Sequence, residues 1–310
     1  MSTSSNEQFH QPALLRESLE FLITDLSGTY VDATFGGGGH TRELLSRLTP
    51  GARLVAFDVD ENSHRAANEL SLSDSRLTFV QKNFSQIRNV FEDLNIKSAD
   101  GFMFDLGVSS YQVDHEPGFS YRRDEKLDMR LDKRLKISAY EIINSYDLSQ
   151  LIEVFGKYGE EPRSRVLAKA VLRIRERNRI ETTFQLAEIV GKVCGRSAKN
   201  LSRIFQALRI EVNKELDSLS EGLEAAVGLT VSGGRVVVIS YHSLEDRIVK
   251  EKFKYEAATC VCPPETIICT CGKVARARIL TRKPVLPSRD EISRNRRARS
   301  AKMRVIEKIL

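Results

Sequence analysis

Three aspartates and a run of four glycines are the residues whose types and spacing suggest chemistry. Tyr30-Val-Asp-Ala-Thr34 reads as a strand and passes through Phe35 into Gly36-Gly-Gly-Gly39, and His40–Leu48 then reads as a helix. Such a loop brings backbone N–H groups up to a ligand with no side chain in the way. The dinucleotide fingerprint needs glycines at positions 1, 3 and 6. Counted from Gly36 the sixth position is Thr41, and from Gly37 it is Arg42, so the third glycine is missing. A Walker lysine is absent too. Taken alone, the glycine run could be a structural turn. Asp58, however, closes the strand Arg53–Phe57, 22 residues after Gly36. A carboxylate at that place can accept both ribose hydroxyls of a nucleoside. Asp105 closes the strand Gly101–Phe104, and Asn83-Phe84 follows the strand Arg76–Val80, where it offers an adenine surface. Ligands of open α/β sheets bind outside the carboxyl ends of the strands. Asp32, Asp58 and Asp105 are therefore expected to converge. Three carboxylates suit a cationic ligand better than a diphosphate, and the sulfonium nucleoside S-adenosylmethionine fits that logic.

The elements that must position these groups alternate. A helix over 13–26, with Leu14, Leu15, Leu19, Leu22 and Ile23 on one side, precedes the first strand. Helix Glu61–Leu70 separates the second strand from the third. Strand–helix alternation predicts a parallel sheet with right-handed crossovers. The pattern stops after the fourth strand. Asp114 to about Asp132 is charged and loop-like, and Ser138 to about Val227 shows only helical periods. Within that stretch Leu167, Val171 and Ile174 share one face and Arg165, Lys169 and Arg173 another. The sheet resumes at Arg235–Ile239 and ends with Arg276–Thr281 and Ala301–Glu307. The 310 residues thus read as one α/β domain, 1–115 and 214–310, interrupted by a helical insertion over 116–213.

Several longer blocks carry a resemblance. They are Val31-Asp-Ala-Thr-Phe-Gly-Gly-Gly-Gly-His40, Asp105-Leu-Gly-Val-Ser-Ser110 with Gln112, and Gly118-Phe-Ser-Tyr121. Leu127-Asp-Met-Arg-Leu-Asp132, Tyr158-Gly-Glu-Glu161, Phe205-Gln-Ala-Leu-Arg-Ile210 and Ser240-Tyr-His-Ser-Leu-Glu-Asp-Arg247 follow in order. On these blocks the chain resembles the bacterial 16S ribosomal RNA cytosine N4-methyltransferases, the RsmH or MraW family. The resemblance implies a Rossmann-like class I S-adenosylmethionine-dependent methyltransferase sheet whose helical insertion recognises the substrate. It implies cofactor contacts at Gly38, Gly39, His40, Asp58, Phe84, Asp105 and Gln112. It also implies transfer of the methyl group to the exocyclic N4 amine of a cytidine in the decoding region of 16S ribosomal RNA, within a small-subunit particle. Two segments depart from the family pattern, Lys199-Asn-Leu-Ser-Arg203 and Asn295-Arg-Arg-Ala-Arg-Ser300.

An amine delocalised into a cytosine ring is a poor nucleophile, so positioning and acceptors for its protons must supply much of the acceleration. Many amino-methyltransferases carry an Asp/Asn-Pro-Pro-aromatic tetrapeptide after the fourth strand; here it is Asp105-Leu-Gly-Val108. Asp105 keeps the acidic position and is the expected catalytic residue. Tyr111, Phe119 and Tyr121 are candidates to stack on an unstacked base. His40 opens a helix beside the glycine loop and is expected to touch the cofactor. His242 is read either as a hydrogen-bonded structural residue or as part of the active-site wall.

Cys260-Val-Cys262 and Cys269-Thr-Cys271 place four thiols within twelve residues. Four thiolates can make a tetrahedral zinc site. The Cys-x-Cys spacing is tighter than the usual Cys-x-x-Cys, and a reduced surface cluster is the alternative. Clustered, odd-numbered cysteines do not suit a secreted disulfide scaffold. With no apolar run of spanning length and no signal-peptide pattern at Met1–Gln8, a cytoplasmic protein without membrane contact is expected. The formal charge of +6 is unevenly spread. Lys273–Arg304 holds twelve Lys/Arg against two acids, and Lys157–Arg179 holds eight against three. Two basic segments suit a phosphate-tracking surface; a solvated helix face is the bland alternative for the second. Two other function classes compete. One is a non-enzymatic ribosome-assembly factor with a relict cofactor fold; the other is a nicotinamide-dependent oxidoreductase, disfavoured by the missing glycine.

Overall fold

The computed structural model describes residues 12–108, 112, 116–266 and 268–310. These divide into two compact units, one running to Gly107 and resuming at Ser218, the other Val108–Asp217. The second unit encloses the stretch 116–213 and takes in a few residues on either side of it. The chain leaves the sheet unit two residues after the fourth strand, and it returns only after the first turn of a long helix, Glu215–Leu229.

In the first unit the strands are β1 (Thr29–Asp32), β2 (Arg53–Phe57), β3 (Leu77–Val80), β4 (Ala99–Asp105), β5 (Thr230–Ser240), β6 (Ala277–Ile279) and β7 (Lys302–Lys308). They form one seven-stranded sheet in the order β3-β2-β1-β4-β5-β7-β6. β1 to β5 are parallel, whereas β7 runs antiparallel to both β5 and β6. Parallel strands buried on both faces need apolar residues at successive positions. β2, β4 and β5 meet that need with Leu54-Val-Ala-Phe57, Phe102-Met-Phe104 and Val236-Val-Val-Ile239, all buried. Side chains alternate between the faces. Val55, Phe57, Phe102, Phe104, Val236 and Val238 join one apolar core. Leu54, Ala56, Met103, Val237 and Ile239 join the other.

Helices cover both faces. α1 (Leu15–Leu22), α2 (Gly39–Arg47) and α3 (Glu61–Ser73) pack with the second core through Leu19, Leu22, Leu44, Leu45 and Ala67. α1 is shorter than its apolar pattern suggests, because Ile23 is extended and Leu26 is half exposed. α4 (Ile87–Asp93) and α11 (Ser243–Ala257) supply Val90, Phe91, Val249 and Phe253 to the first core. The helix Glu215–Leu229, α10, adds Leu219 and Leu223.

The second unit is helical: α5 (Ala139–Ser145), α6 (Leu148–Glu153), a π-turn (Val154–Tyr158), α7 (Ser164–Arg175), α8 (Thr183–Cys194) and α9 (Ala198–Asn213). Its own core gathers Ile142, Phe155, Leu167, Val171, Leu186, Ile204 and Leu208. On α7, Leu167 and Val171 are buried while Arg165, Lys169 and Arg173 are exposed, the division expected from the sequence. Buried Asn144 donates to the Ile180 carbonyl and accepts from the Ile180 amide. Arg203 donates to the Gly159 carbonyl, so the altered segment 199–203 packs on the Tyr158–Glu161 block. The last helix of the chain, α12 (Arg289–Arg294), lies before β7 in the first unit.

Candidate active site

Strand order reverses direction at β1, with β2 on one side and β4 on the other. A crevice forms at such a switch point, outside the carboxyl ends of the strands. The glycine loop, Asp32, Asp58 and Asp105 lie at the carboxyl ends of β1, β2 and β4. Gly36 and Gly38 have φ of +53° and +75°, a left-handed conformation that L side chains rarely adopt. Gly38 caps α2, and a Cβ on it would stand 2.7 Å from the Phe35 ring.

Asp58 ties the end of β2 to this loop. Its Oδ2 accepts from the Gly36 amide at 2.7 Å and its Oδ1 from the Asp60 amide at 2.9 Å. Ser63 donates to this carboxylate as well, which leaves one of its roughly four acceptor positions for a ligand hydroxyl. Asp32 is fully buried and accepts from Thr41 Oγ1 at 2.6 Å and from the Thr34 amide at 3.1 Å. It shapes the loop from beneath. Asp105 is fixed twice. Its amide donates to Thr34 Oγ1 at 2.7 Å, and its Oδ1 accepts from the Tyr241 hydroxyl at 2.8 Å.

Desolvation pushes all three carboxyls up: Asp32 to about 6, Asp105 to about 7, and Asp58 above its ordinary value. Hydrogen bonds from Thr41 to Asp32 and from Tyr241 to Asp105 work the other way. Mutual repulsion adds to the rise, Asp58 acting on Asp32, and Asp32 with Glu245 acting on Asp105. No lysine or arginine is among the groups that shift them. His40 stands with Nδ1 3.5 Å from Asp105 Oδ2, but burial lowers its pKa to about 4. The Ala13 carbonyl offsets only part of that cost, and Nε2 makes no well-aligned hydrogen bond among the described residues. The imidazole is neutral at neutral pH and does not act as the counter-ion of Asp105.

Desolvated carboxylates with no lysine or arginine acting on them among the described residues fit a cationic ligand. The glycine cradle and Asp58 fit a nucleoside. The donor set therefore suits S-adenosylmethionine. Phe84 opens a 3-10 turn capped by Asn83. Its ring packs edge-on against Phe104 at 5.5 Å, and α10 approaches it so closely at Gly222 that a Cβ there would lie 2.6 Å away. It is partly committed to the core. Gln112 is buried and belongs to the second unit.

Of the stacking candidates, Tyr121 packs on Phe205 with ring centroids 5.6 Å apart, and its hydroxyl meets Ser202 at 3.1 Å. Phe119 is half-buried and Tyr111 lies outside the described residues. His242 caps α11: its Nδ1 accepts from the Glu245 amide at 3.4 Å, and Glu245 accepts from the amides of Tyr241 and His242. Sequence reasoning misses Tyr241 as a partner of Asp105. The one available signal is its place just after β5, the strand parallel to β4.

The MraW methylase family model matches residues 7–309. The chain belongs to the MraW methylase family. "Ribosomal RNA small subunit methyltransferase H" of Caldicellulosiruptor saccharolyticus is 45% identical over 304 residues, 97% of this chain and 99% of that one. The protein of the same name from Clostridium botulinum strain Loch Maree is 44% identical, covering 97% of this chain and 99% of its own. The one from Clostridioides difficile is 42% identical, covering 98% and 100%. As a member of the MraW methylase family the chain is an enzyme, an S-adenosylmethionine-dependent methyltransferase. The sheet order and its antiparallel β7 form the class I methyltransferase fold expected from the sequence. The relict assembly factor finds no support in these matches. Among the described residues no helix is long and apolar enough to cross a membrane.

Proposed function

We propose that this enzyme methylates the exocyclic N4 amine of a cytidine in the decoding region of small-subunit ribosomal RNA, presented within a small-subunit particle. The observation that carries the chemistry is the Asp105 carboxyl. It is desolvated, repelled by its acidic neighbours, and held at Oδ1 by Tyr241. Its Oδ2 has the neutral His40 beside it, Nδ1 at 3.5 Å. S-adenosylmethionine, when bound, supplies an electrophilic methyl group on a sulfonium. Asp58 and the amides of Gly38 and Gly39 hold the nucleoside part; His40, Phe84 and Gln112 are proposed contacts with it.

Asp105 Oδ2 accepts a hydrogen bond from the cytosine amine and orients its lone pair. A carboxyl that titrates near 7 can also take the proton that nitrogen sheds as the new N–C bond forms. The RNA assignment rests on the names of the relatives and on exposed basic side chains. Arg282, Lys283, Arg289, Arg294, Arg296 and Arg299 are exposed in the first unit, and Arg165, Lys169 and Arg173 in the second. A groove of about 470 Å³ is lined by Ile292, Ser293, Arg296 and Arg299. Both surfaces suit RNA phosphates, and the helical unit is proposed to recognise the substrate.

The test is transfer of labelled methyl groups to small-subunit particles and to naked ribosomal RNA, followed by nucleoside mass analysis. N4-methylcytidine formed on particles is expected. Its absence from both substrates overturns the assignment, and equal rates on both overturn the particle requirement. An Asp105→Asn protein with full turnover removes the proposed role of that side chain.

A further inference from the structure

Between α11 and β6 the chain makes an excursion with little apolar support. Val261, Ile268 and Val274 are all exposed. A segment without its own core needs some other staple. The four cysteines in it converge. Cys269 Sγ lies 3.5 Å from Cys260, 3.9 Å from Cys262 and 3.6 Å from Cys271, and Cys271 lies 3.9 Å from Cys260. All four sulfurs fall within 4.8 Å of one another. Metal–sulfur bonds of about 2.3 Å in a tetrahedron place the sulfurs about 3.8 Å apart. A disulfide would need about 2.05 Å, and the thiols are free.

The backbone is arranged around the sulfurs as well. The Val261 amide donates to Cys271 Sγ and the Cys262 amide to Cys260 Sγ, each at 3.4 Å. The amides of Thr270 and Lys273 face Cys262 and Cys271. Gly272, at φ +59°, makes the turn after Cys271 that brings the Lys273 amide round. Amide donors aimed at ligand sulfurs are the outer support that thiolate metal sites use. Neutral thiols on a surface have no need of them.

We propose that Cys260, Cys262, Cys269 and Cys271 bind one zinc ion as a closed tetrathiolate site. Four protein ligands leave no open position, so the ion is structural and takes no part in methyl transfer. Binding replaces the four thiol protons by one divalent cation and releases them to solvent. The ion fixes the segment that leads into β6, with Lys273 held over the Tyr255 ring at 4.6 Å.

The deciding experiment is metal analysis of the full chain purified in reducing buffer without chelator. About one zinc per chain is expected, and after exchange the cobalt protein should show the strong visible bands of tetrahedral thiolate coordination. In a Cys262→Ser/Cys269→Ser protein, bound zinc should fall at least tenfold. Its affinity for S-adenosylmethionine should stay within twofold of the parent, which shows that the sheet unit still folds. Protein that carries no zinc and takes up neither zinc nor cobalt on titration overturns the proposal. So do iron in place of zinc, two disulfides found by mass under non-reducing conditions, or full metal content in the double variant.

Discussion

Asp105 works at neutral pH under two opposed influences. Desolvation and the acidic neighbours Asp32 and Glu245 favour its protonated form, while the Tyr241 hydroxyl favours the carboxylate. A cation binding beside it must displace the proton when the group is protonated. Affinity for S-adenosylmethionine should therefore rise with pH up to about 7 and level off above it. Below that point it should weaken by up to about tenfold per pH unit for each coupled proton. The neutral product S-adenosylhomocysteine lacks the sulfonium charge and should bind with little pH dependence over the same interval. Calorimetric titrations of both ligands between about pH 5.5 and 8 separate the two, and parallel curves would remove Asp105 as a charge partner. Tyr241 is a positioning residue in this account. A Tyr241→Phe protein loses the bond that holds Asp105 ionised, so the midpoint of the rise should move up by about one pH unit. Asp58 acts by a different route. It joins the glycine loop to β2 through the Gly36 amide and keeps an acceptor position for a hydroxyl. Hydrogen bonds to a charged group are worth about 1.5–3 kcal/mol, so Asp58→Ala should weaken both nucleosides by roughly tenfold to a hundredfold. A purely structural Asp58 would instead lower thermal stability and leave affinity alone.

At the scale of elements, the loop between β1 and α2 is where local conformation and function meet. Gly38 sits left-handed at the cap of α2 with the Phe35 ring against its Cα. An alanine there would carry about 1–2 kcal/mol of backbone strain and a clash besides. Gly38→Ala should melt several degrees lower and bind S-adenosylmethionine more weakly, as thermal denaturation with and without ligand would show. A melting point unchanged within a degree would mean that the loop relaxes freely. The parts of this site that are legible in the sequence are those set by local rules. β2 spans the residues that its apolar run marks, because a strand buried on both faces tolerates little else. The glycine turn and the acids at the ends of β2 and β4 are visible for the same reason. The Tyr241–Asp105 bond is not, since its partners are 136 residues apart and meet only once β4 and β5 pair. The antiparallel course of β7 is equally hidden, because alternation of apolar residues carries no direction. His242 suggests chemistry by its residue type. It is the capping box with Glu245 that gives it its place.

Across the whole molecule the basic residues do two different jobs that net charge cannot separate. Some neutralise acids inside the fold. Arg304 pairs with Asp246 at 2.6 Å, and Arg276 with the fully buried Glu256 at 2.8 Å. Arg278 pairs with Glu307, which also receives Arg235. Arg276, Arg278 and Arg304 belong to the run between Lys273 and Arg304, so its excess of positive charge overstates what is offered to an RNA. Arg296 and Arg299, by contrast, are exposed around the groove beside α12. The two sets should respond differently to substitution. Replacing Arg296 and Arg299 by Gln should weaken RNA binding about equally for all sequences. It should also flatten the plot of log affinity against log salt by about 0.7 for each phosphate of single-stranded RNA that is no longer neutralised. S-adenosylmethionine affinity and melting temperature should stay as they were. Replacing Arg304 by Gln should leave the largely buried Asp246 with only the longer pair to Lys302, at 3.6 Å, and lower the melting temperature, with the salt slope unchanged. A filter-binding series between about 50 and 200 mM salt, run beside thermal melts, reads both quantities. If the Arg304 variant lost the salt slope and the groove variants kept it, the RNA surface would have to be moved from the rim of α12 to the edge of β7.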